Sequence, residues 1–165
     1  MEGTNMKNNK GFTLVELIVV IAMMAIIAGV STTVISTVSK QELKDFTNNL
    51  DAMLCQAKIE TMSGLPDPAL EVAIINGEYR ATLYKYYNDA ENKIEIKSQY
   101  LGEDYLKCEV SGEKLGLGKK AVFVYNRSTG ELMNKALKEV KISDKSESFY
   151  KIELIPETGY HKIVR

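Results

Sequence analysis

The sequence predicts an α+β protein in which one long N-terminal α-helix packs against a C-terminal antiparallel β-sheet domain. Three observations lead to this fold class. No charged residue occurs in the range Leu17–Ser39, and apolar residues then continue at helical spacing as far as Ala57. After Pro68, short segments that alternate apolar and polar residues are separated by turn sequences, which is typical of antiparallel strands. The 165 residues suit one domain of ordinary size with an appendage.

The composition excludes several classes of protein. With 21 basic and 22 acidic side chains the net charge is −1, so the chain does not bind nucleic acid through bulk positive charge. Two cysteines exclude a disulfide-dense scaffold and a four-cysteine zinc site. We expect the single histidine, His161, to lie at the surface. No catalytic triad spacing, glycine-rich phosphate loop or metal motif is visible in the sequence. We therefore expect that the protein is not an enzyme and binds neither a cofactor nor a metal.

The first part of the helix has the length and hydropathy of a membrane span. Leu17–Val30 is apolar throughout, counting alanine and glycine, and about 20 such residues cross the hydrocarbon core. Lys7 and Lys10 precede the apolar residues, and the next lysine is Lys40. The positive-inside rule therefore predicts a cytoplasmic N-terminus and a C-terminal domain outside the plasma membrane. No Ala-x-Ala site follows, so we expect the segment to be retained, unlike a secretory signal peptide.

Glu16 does not fit a simple membrane anchor. It lies at the start of the apolar segment, where a carboxylate costs about 2.5–3.5 kcal/mol at bilayer depth and less near the interface. One interpretation is a glutamate in the first helical turn, tolerated through the helix dipole and snorkelling. The other is a charge that meets a cation inside an assembly.

The residues around Glu16 form a specific motif. The segment Gly11-Phe12-Thr13-Leu14-Val15-Glu16, with Lys10 before it and Leu17–Ile21 after it, closely resembles the class III signal peptide of type IV prepilins and pseudopilins. This resemblance implies the pilin fold. It also implies cleavage by a prepilin peptidase between Gly11 and Phe12, N-methylation of Phe12, and pairing of Glu16 with the N-terminal amine of a neighbouring subunit.

The resemblance further implies the partners and the segments of the chain. The partners are the prepilin peptidase, other pilin subunits in a homo- or heteropolymer, the inner-membrane assembly platform and the membrane. Either Met1 or Met6 is the start of the leader. The implied segments are a cytoplasmic leader (1–11), a transmembrane and polymerisation helix (12–39), an amphipathic extension of that helix (40–64) and an extracytoplasmic β-rich domain (65–165).

The amphipathic extension carries two apolar stripes on nearly opposite faces. The first contains Leu43, Phe46, Leu50, Met53, Leu54 and Ala57, and the second contains Ala52, Cys55, Ile59 and Met62. We expect the first stripe to pack on the β domain. The second is covered either within the same domain or by loops or neighbouring subunits. Gly64, Pro66 and Pro68 predict that the helix, starting at Phe12, ends at Ser63.

The C-terminal domain begins with a predicted hairpin. Leu70–Ile75 and Tyr79–Tyr87 flank Asn76-Gly77, a strong hairpin signal. The further predicted strands are 93–100, 121–125, 149–155 and 160–164. Glu109–Lys120 contains three glycines and is predicted to be a loop.

Two groups of residues leave alternatives open. Cys55 and Cys108 lie outside the membrane in the predicted topology, where they form either a disulfide between helix and domain or two buried thiols. The basic residues near the C-terminus are interrupted by acidic ones, so a solvated charged face is favoured over a DNA-binding patch, and nucleic acid is not an expected partner. These residues are Lys135, Lys138, Lys141, Lys145, His161, Lys162 and Arg165.

The sequence therefore favours a structural subunit of a type IV pilus or pseudopilus. The segment around Thr158-Gly159-Tyr160 weakly resembles GspH/FimT-like minor pseudopilins, so a minor subunit is favoured over a major one. The alternative from another class is a single-pass anchored binding domain that never polymerises and is not cleaved.

Overall fold

The computed structural model describes residues 13–89 and 91–164, with side chains for all of these except residues 28–38. The chain divides into two units, residues 1–38 and residues 39–165, which are described separately. The helix α1, Leu14–Ser63, contributes to both units. Within the described part of the chain the secondary structure is this helix and nine strands, which confirms the predicted α+β class.

The N-terminal unit contains the apolar beginning of α1. Side chains are described for Leu14–Ile27, and they are exposed in the single chain. The described residues contain no helix that combines the length and the hydropathy needed to cross a membrane. The transmembrane role of residues 12–39 therefore stays a prediction.

The C-terminal end of α1 lies where the sequence predicts it. Gly64 adopts a φ of 104°, a left-handed conformation that glycine reaches at no steric cost. Its N–H donates to the carbonyl of Thr61 at 3.2 Å, and the N–H of Leu65 donates to the carbonyl of Glu60 at 3.0 Å. This pair of bonds is the Schellman motif, which satisfies the last helical carbonyls.

The strands form two antiparallel sheets in the described part of the second unit. The first sheet has the order β3-β2-β1-β6 and the second the order β5-β4-β7-β8-β9. The strand bounds are β1 Ala69–Ile75, β2 Glu78–Lys85, β3 Ile94–Glu103, β4 Lys107–Val110, β5 Glu113–Lys114, β6 Lys120–Phe123, β7 Glu139–Ser143, β8 Phe149–Ile155 and β9 Tyr160–Val164.

The predicted hairpin is present with its turn. In β1 and β2, Ile75 pairs with Glu78, and the two residues between them, Asn76 and Gly77, have φ values of 53° and 82°. Two consecutive positive φ values are those of a type I′ turn, whose twist matches that of the flanking strands.

Two parts of the second sheet differ from the prediction. The supposed loop Glu109–Lys120 contains a second tight hairpin, in which Val110 of β4 pairs with Glu113 of β5 around Ser111-Gly112. Both turn residues again have positive φ, 50° and 85°. Strand β7 was not predicted, because lysine and glutamate surround its two buried residues, Val140 and Ile142.

The core of the second unit lies between α1 and the sheets. The first apolar stripe of the helix is buried, as predicted, and packs in one cluster with residues from both sheets. Phe46 of the helix contacts Tyr79 of β2 edge to face, with ring centroids 5.4 Å apart. Burial of this stripe fixes which face of the helix, within residues 39–63, points away from the domain.

Candidate functional site

The signal motif is described from Thr13 onward, and Gly11 and Phe12 lie outside the described residues. Thr13 and Glu16 form a capping box at the start of α1. The backbone N–H and the hydroxyl of Thr13 donate to Oε2 of Glu16 at 2.9 and 3.0 Å. In return the N–H of Glu16 donates to Oγ1 of Thr13 at 3.3 Å. Each side chain thus satisfies a backbone donor that the helix start would leave free.

The capping box bears on the two interpretations of Glu16. In the first interpretation Glu16 is a glutamate that the first helical turn tolerates. Consistent with this, the Glu16 carboxylate stabilises that turn through hydrogen bonds and through the positive end of the helix dipole. Pairing with the amine of a neighbouring subunit, the second interpretation, stays a prediction.

The second apolar stripe of α1 is uncovered in the single chain. Ala52 and Cys55 are exposed, and Ile59 and Met62 are 65% and 50% exposed. The alternative that both stripes are covered within one domain is therefore wrong. Adjacent exposed apolar side chains on one helix face are typical of a contact surface.

The two cysteines are free thiols within the described part of the chain, so the first alternative, a disulfide between helix and domain, is not formed. Cys108 is fully buried in the core, and this burial raises the pKa of its thiol to about 12. Cys55 is exposed, which corrects the alternative of two buried thiols. Partial burial, followed by the negative charge of Asp51, raises the pKa of the Cys55 thiol.

His161 is buried, contrary to the expectation of a surface position. Its side chain is only 5% exposed, because β9 places it against α1. The ring atom Nε2 lies 3.3 Å from Oδ1 of Asp51 and 3.4 Å from Sγ of Cys55. It also lies 3.3 Å from the backbone carbonyl oxygen of Asp51.

These three side chains form a cluster that the sequence analysis did not find. One ligand-type atom from each residue lies within 4.8 Å of the other two. Asp51 and Cys55 are four residues apart and so share a helix face, which was a signal available in the sequence. Their proximity to His161, more than 100 residues later, required the fold.

The basic residues near the C-terminus are largely engaged by neighbours. Lys135 pairs with Glu131 at 3.1 Å, and Lys162 pairs with Glu153 at 3.1 Å. Lys141 lies over the ring of Phe149. These contacts are those of the solvated charged face that the sequence favours, and Arg165 lies outside the described residues.

Tyr84 of β2 and Tyr87, which follows that strand, also have partners within the domain. The ammonium of Lys93 lies 3.7 Å from the ring centroid of Tyr84 and 4.4 Å from that of Tyr87. The hydroxyl of Tyr87 donates to Glu71 at 2.8 Å, and Lys120 approaches the same carboxylate oxygen at 3.0 Å. Burial works against ionisation of Glu71, but these two hydrogen bonds and the charge of Lys93 outweigh it and lower the pKa of Glu71.

Comparison with known proteins identifies the N-terminal segment. A search of curated proteins and a search of solved structures each found no match to the chain. Residues 6–32 match the family model described as the prokaryotic N-terminal methylation motif. This motif is the class III signal peptide of type IV pilins, so the chain carries a prepilin-like N-terminal signal.

Proposed function

We propose that the protein is a structural subunit of a type IV pilus or pseudopilus, made as a precursor and cut by a prepilin peptidase between Gly11 and Phe12. The observation that carries this proposal is the match of residues 6–32 to the N-terminal methylation motif. After cleavage Phe12 is the N-terminus, which is methylated, and α1 holds the subunit in the plasma membrane until assembly. The C-terminal domain then lies outside the membrane.

Two exposed surfaces support assembly into a polymer. The described side chains of Leu14–Ile27 are apolar apart from Glu16 and are exposed in the single chain. The exposed stripe of Cys55, Ile59 and Met62 lies farther along the same helix. Apolar surface of this extent requires lipid or neighbouring subunits to cover it. We propose a minor subunit, whose partners are other pilin subunits and the inner-membrane assembly platform.

Processing is tested by the intact mass and N-terminal sequence of the full chain extracted from membranes. In cells with an active prepilin peptidase we expect the chain to start at Phe12 and to carry one added methyl group. The variant Gly11→Ala should keep its leader, because the added Cβ hinders approach of the protease to the backbone.

The matched control is Gly29→Ala, because this glycine lies beyond the cleavage site and is present whether the chain starts at Met1 or at Met6. This variant should be processed like the parent chain. A parent chain that starts at Met1 or Met6 beside an active peptidase would overturn the proposal in favour of a plain membrane anchor. The proportion of the subunit in sheared filaments then separates a minor subunit from a major one, since a major subunit dominates such preparations.

A further inference from the structure

The cluster of Asp51, Cys55 and His161 has the composition of a transition-metal site. A carboxylate, a thiol and an imidazole are the three side-chain types that bind Zn²⁺ in proteins. Sulfur and nitrogen ligands favour zinc over the hard cations Mg²⁺ and Ca²⁺. All three residues belong to the second unit of the chain, two on α1 and one on β9.

Two of the three separations within the cluster match those of a tetrahedral zinc site. With Zn–N near 2.0 Å and Zn–S near 2.3 Å, tetrahedral angles place a nitrogen and a sulfur ligand about 3.5 Å apart and a nitrogen and an oxygen ligand about 3.3 Å apart. The observed separations from Nε2 of His161 are 3.4 Å to Sγ of Cys55 and 3.3 Å to Oδ1 of Asp51. The third pair, Sγ of Cys55 and a carboxylate oxygen of Asp51, lies within 4.8 Å, so rotation of these two side chains would bring the three ligand atoms around one ion.

The arrangement differs from that of a catalytic cysteine. In a Cys-His-acid triad the thiol and the acid contact opposite nitrogens of the ring. Here both Asp51 and Cys55 contact Nε2 of His161, whereas Nδ1 is buried without a hydrogen-bond partner among the described residues. The ligand atoms of Asp51 and Cys55 thus both lie beside the same ring nitrogen, which is the neighbourhood that three ligands of one shared cation need.

We propose that Asp51, Cys55 and His161 bind one divalent transition-metal ion, with Zn²⁺ as the expected ion. Binding joins the last strand, β9, to the helix, because the ligands come from both elements. Cys55 is exposed, so a fourth ligand reaches the ion from solvent. The unpartnered Nδ1 of the ring lowers the affinity below that of a closed structural zinc site.

Cobalt titration of the full chain, extracted in detergent and kept reduced and metal-free, tests the proposal. Co²⁺ substitutes for zinc and produces a thiolate-to-metal absorption band when a cysteine is a ligand. We expect this band to saturate at one equivalent of Co²⁺ and to disappear when Zn²⁺ is added. Zn²⁺ should also raise the Tm, since binding to the folded state stabilises it.

The variants separate this site from the other thiol of the chain. Cys55→Ser replaces an exposed side chain by one of similar size, so it should stay folded, lose the absorption band and bind Zn²⁺ at least roughly tenfold more weakly. Asp51→Asn should weaken binding in the same way. The matched controls, Cys108→Ala for the other thiol and Asp45→Asn for another helix carboxylate, should bind like the parent.

Absence of the band in the parent, or its persistence in Cys55→Ser, would overturn the proposal. Circular dichroism of each variant establishes that it is folded. Because the titration requires neither cleavage at Gly11 nor filament assembly, its outcome is independent of the proposed function.

Discussion

Glu16 contributes to the start of α1 through hydrogen bonds, and in the proposed assembly it would act through its charge. Both bonds from Thr13 end on Oε2, and a glutamine side chain has an oxygen that accepts the same bonds. The charge, in contrast, is what an N-terminal amine of a neighbouring subunit would pair with. The two contributions can therefore be separated by a single substitution.

We predict that Glu16→Gln is processed normally but assembles poorly. The capping bonds persist, so the helix start and cleavage after Gly11 should be retained. Loss of the negative charge leaves the neighbouring amine unpaired in an apolar environment, and the yield of subunit in sheared filaments should fall at least about tenfold.

Quantitative immunoblotting of sheared filaments against total membrane protein measures this effect. Glu60→Gln, a charge-removing substitution on the same helix, is the control and should assemble like the parent. Parent-level incorporation of Glu16→Gln would show that the charge is not required for assembly.

The cluster of Asp51, Cys55 and His161 shows which contacts can be predicted from the sequence and which cannot. The spacing of Asp51 and Cys55 places them on one helix face and is visible in the sequence. His161 is a single histidine between a tyrosine and a lysine, which is typical of a surface position. His161 is buried because β9 pairs with β8, where it lies opposite Leu154. This pairing brings the ring against Asp51 of α1.

At the scale of elements, the two stripes of α1 differ in burial although both are apolar. Leu50 is fully buried among the strands, whereas Ile59 is 65% exposed. The periodicity of the sequence revealed both stripes and correctly predicted which one packs on the domain. It could not show whether the second is covered, since that depends on which neighbours the fold supplies.

We predict that truncating a side chain of the first stripe destabilises the protein strongly, whereas truncating one of the second stripe hardly changes its stability. Leu50→Ala leaves a cavity in the core and should lower the free energy of unfolding by about 2–5 kcal/mol. Ile59→Ala removes a side chain that is mostly in solvent and should change it by less than about 0.5 kcal/mol.

Urea unfolding of the full chain in detergent, followed by near-UV circular dichroism, gives both values. An equal loss for the two variants would mean that the second stripe is packed in the free subunit. A stable Ile59→Ala that is depleted from filaments would place this stripe at a subunit contact.

Strands with a characteristic turn sequence could be predicted, whereas strands without one could not. Asn76-Gly77 is the most common sequence for a type I′ turn, and the hairpin was predicted from it. Ser111-Gly112 adopts the same turn with a less characteristic pair of residues, which is why the sequence predicts a loop there. Strand β7 has only Val140 and Ile142 as buried positions, which is too short an alternation to stand out.

At the scale of the whole molecule, the pairing of strands into two sheets could not be predicted. Strand β1 pairs with β2 across a two-residue turn but also with β6, where Val72 lies opposite Ala121. Likewise β4 pairs with β7, with Cys108 opposite Ile142. Such pairings between distant segments depend on how all the strands share one core, which no local pattern specifies.

The shared core also determines how the stability of the protein depends on alkaline pH. Tyr79 lies in it with its hydroxyl donating to the carbonyl of Leu115 at 3.1 Å. Burial, with a smaller contribution from neighbouring Cys108, raises the pKa of Tyr79 to about 12 from the ordinary value of 10.0. Burial likewise raises the pKa of Cys108 to about 12 from 9.0.

We predict that the protein loses stability as the pH rises from about 9 to about 12. In this range the unfolded chain releases protons from these groups, whereas the folded chain retains them, so folding requires proton uptake. Each such group should lower the free energy of unfolding by about 1.4 kcal/mol per pH unit between its unfolded and folded pKa values. Tyr79→Phe lacks this titratable group, so its free energy of unfolding should fall less steeply with alkaline pH than that of the parent. At pH 7 the variant should be less stable by about 1 kcal/mol, because the hydrogen bond is lost.

Urea unfolding at a series of pH values measures these slopes. Tyr160→Phe removes an exposed phenol from β9 and is the matched control, with a decline parallel to that of the parent. If the free energies of unfolding of Tyr79→Phe and of the parent fall in parallel between pH 10 and 12, then the Tyr79 hydroxyl reaches water in the folded state. The contact of Tyr79 with Phe46 would then not seal the core, and the packing of α1 on the first sheet would be looser than its buried stripe indicates.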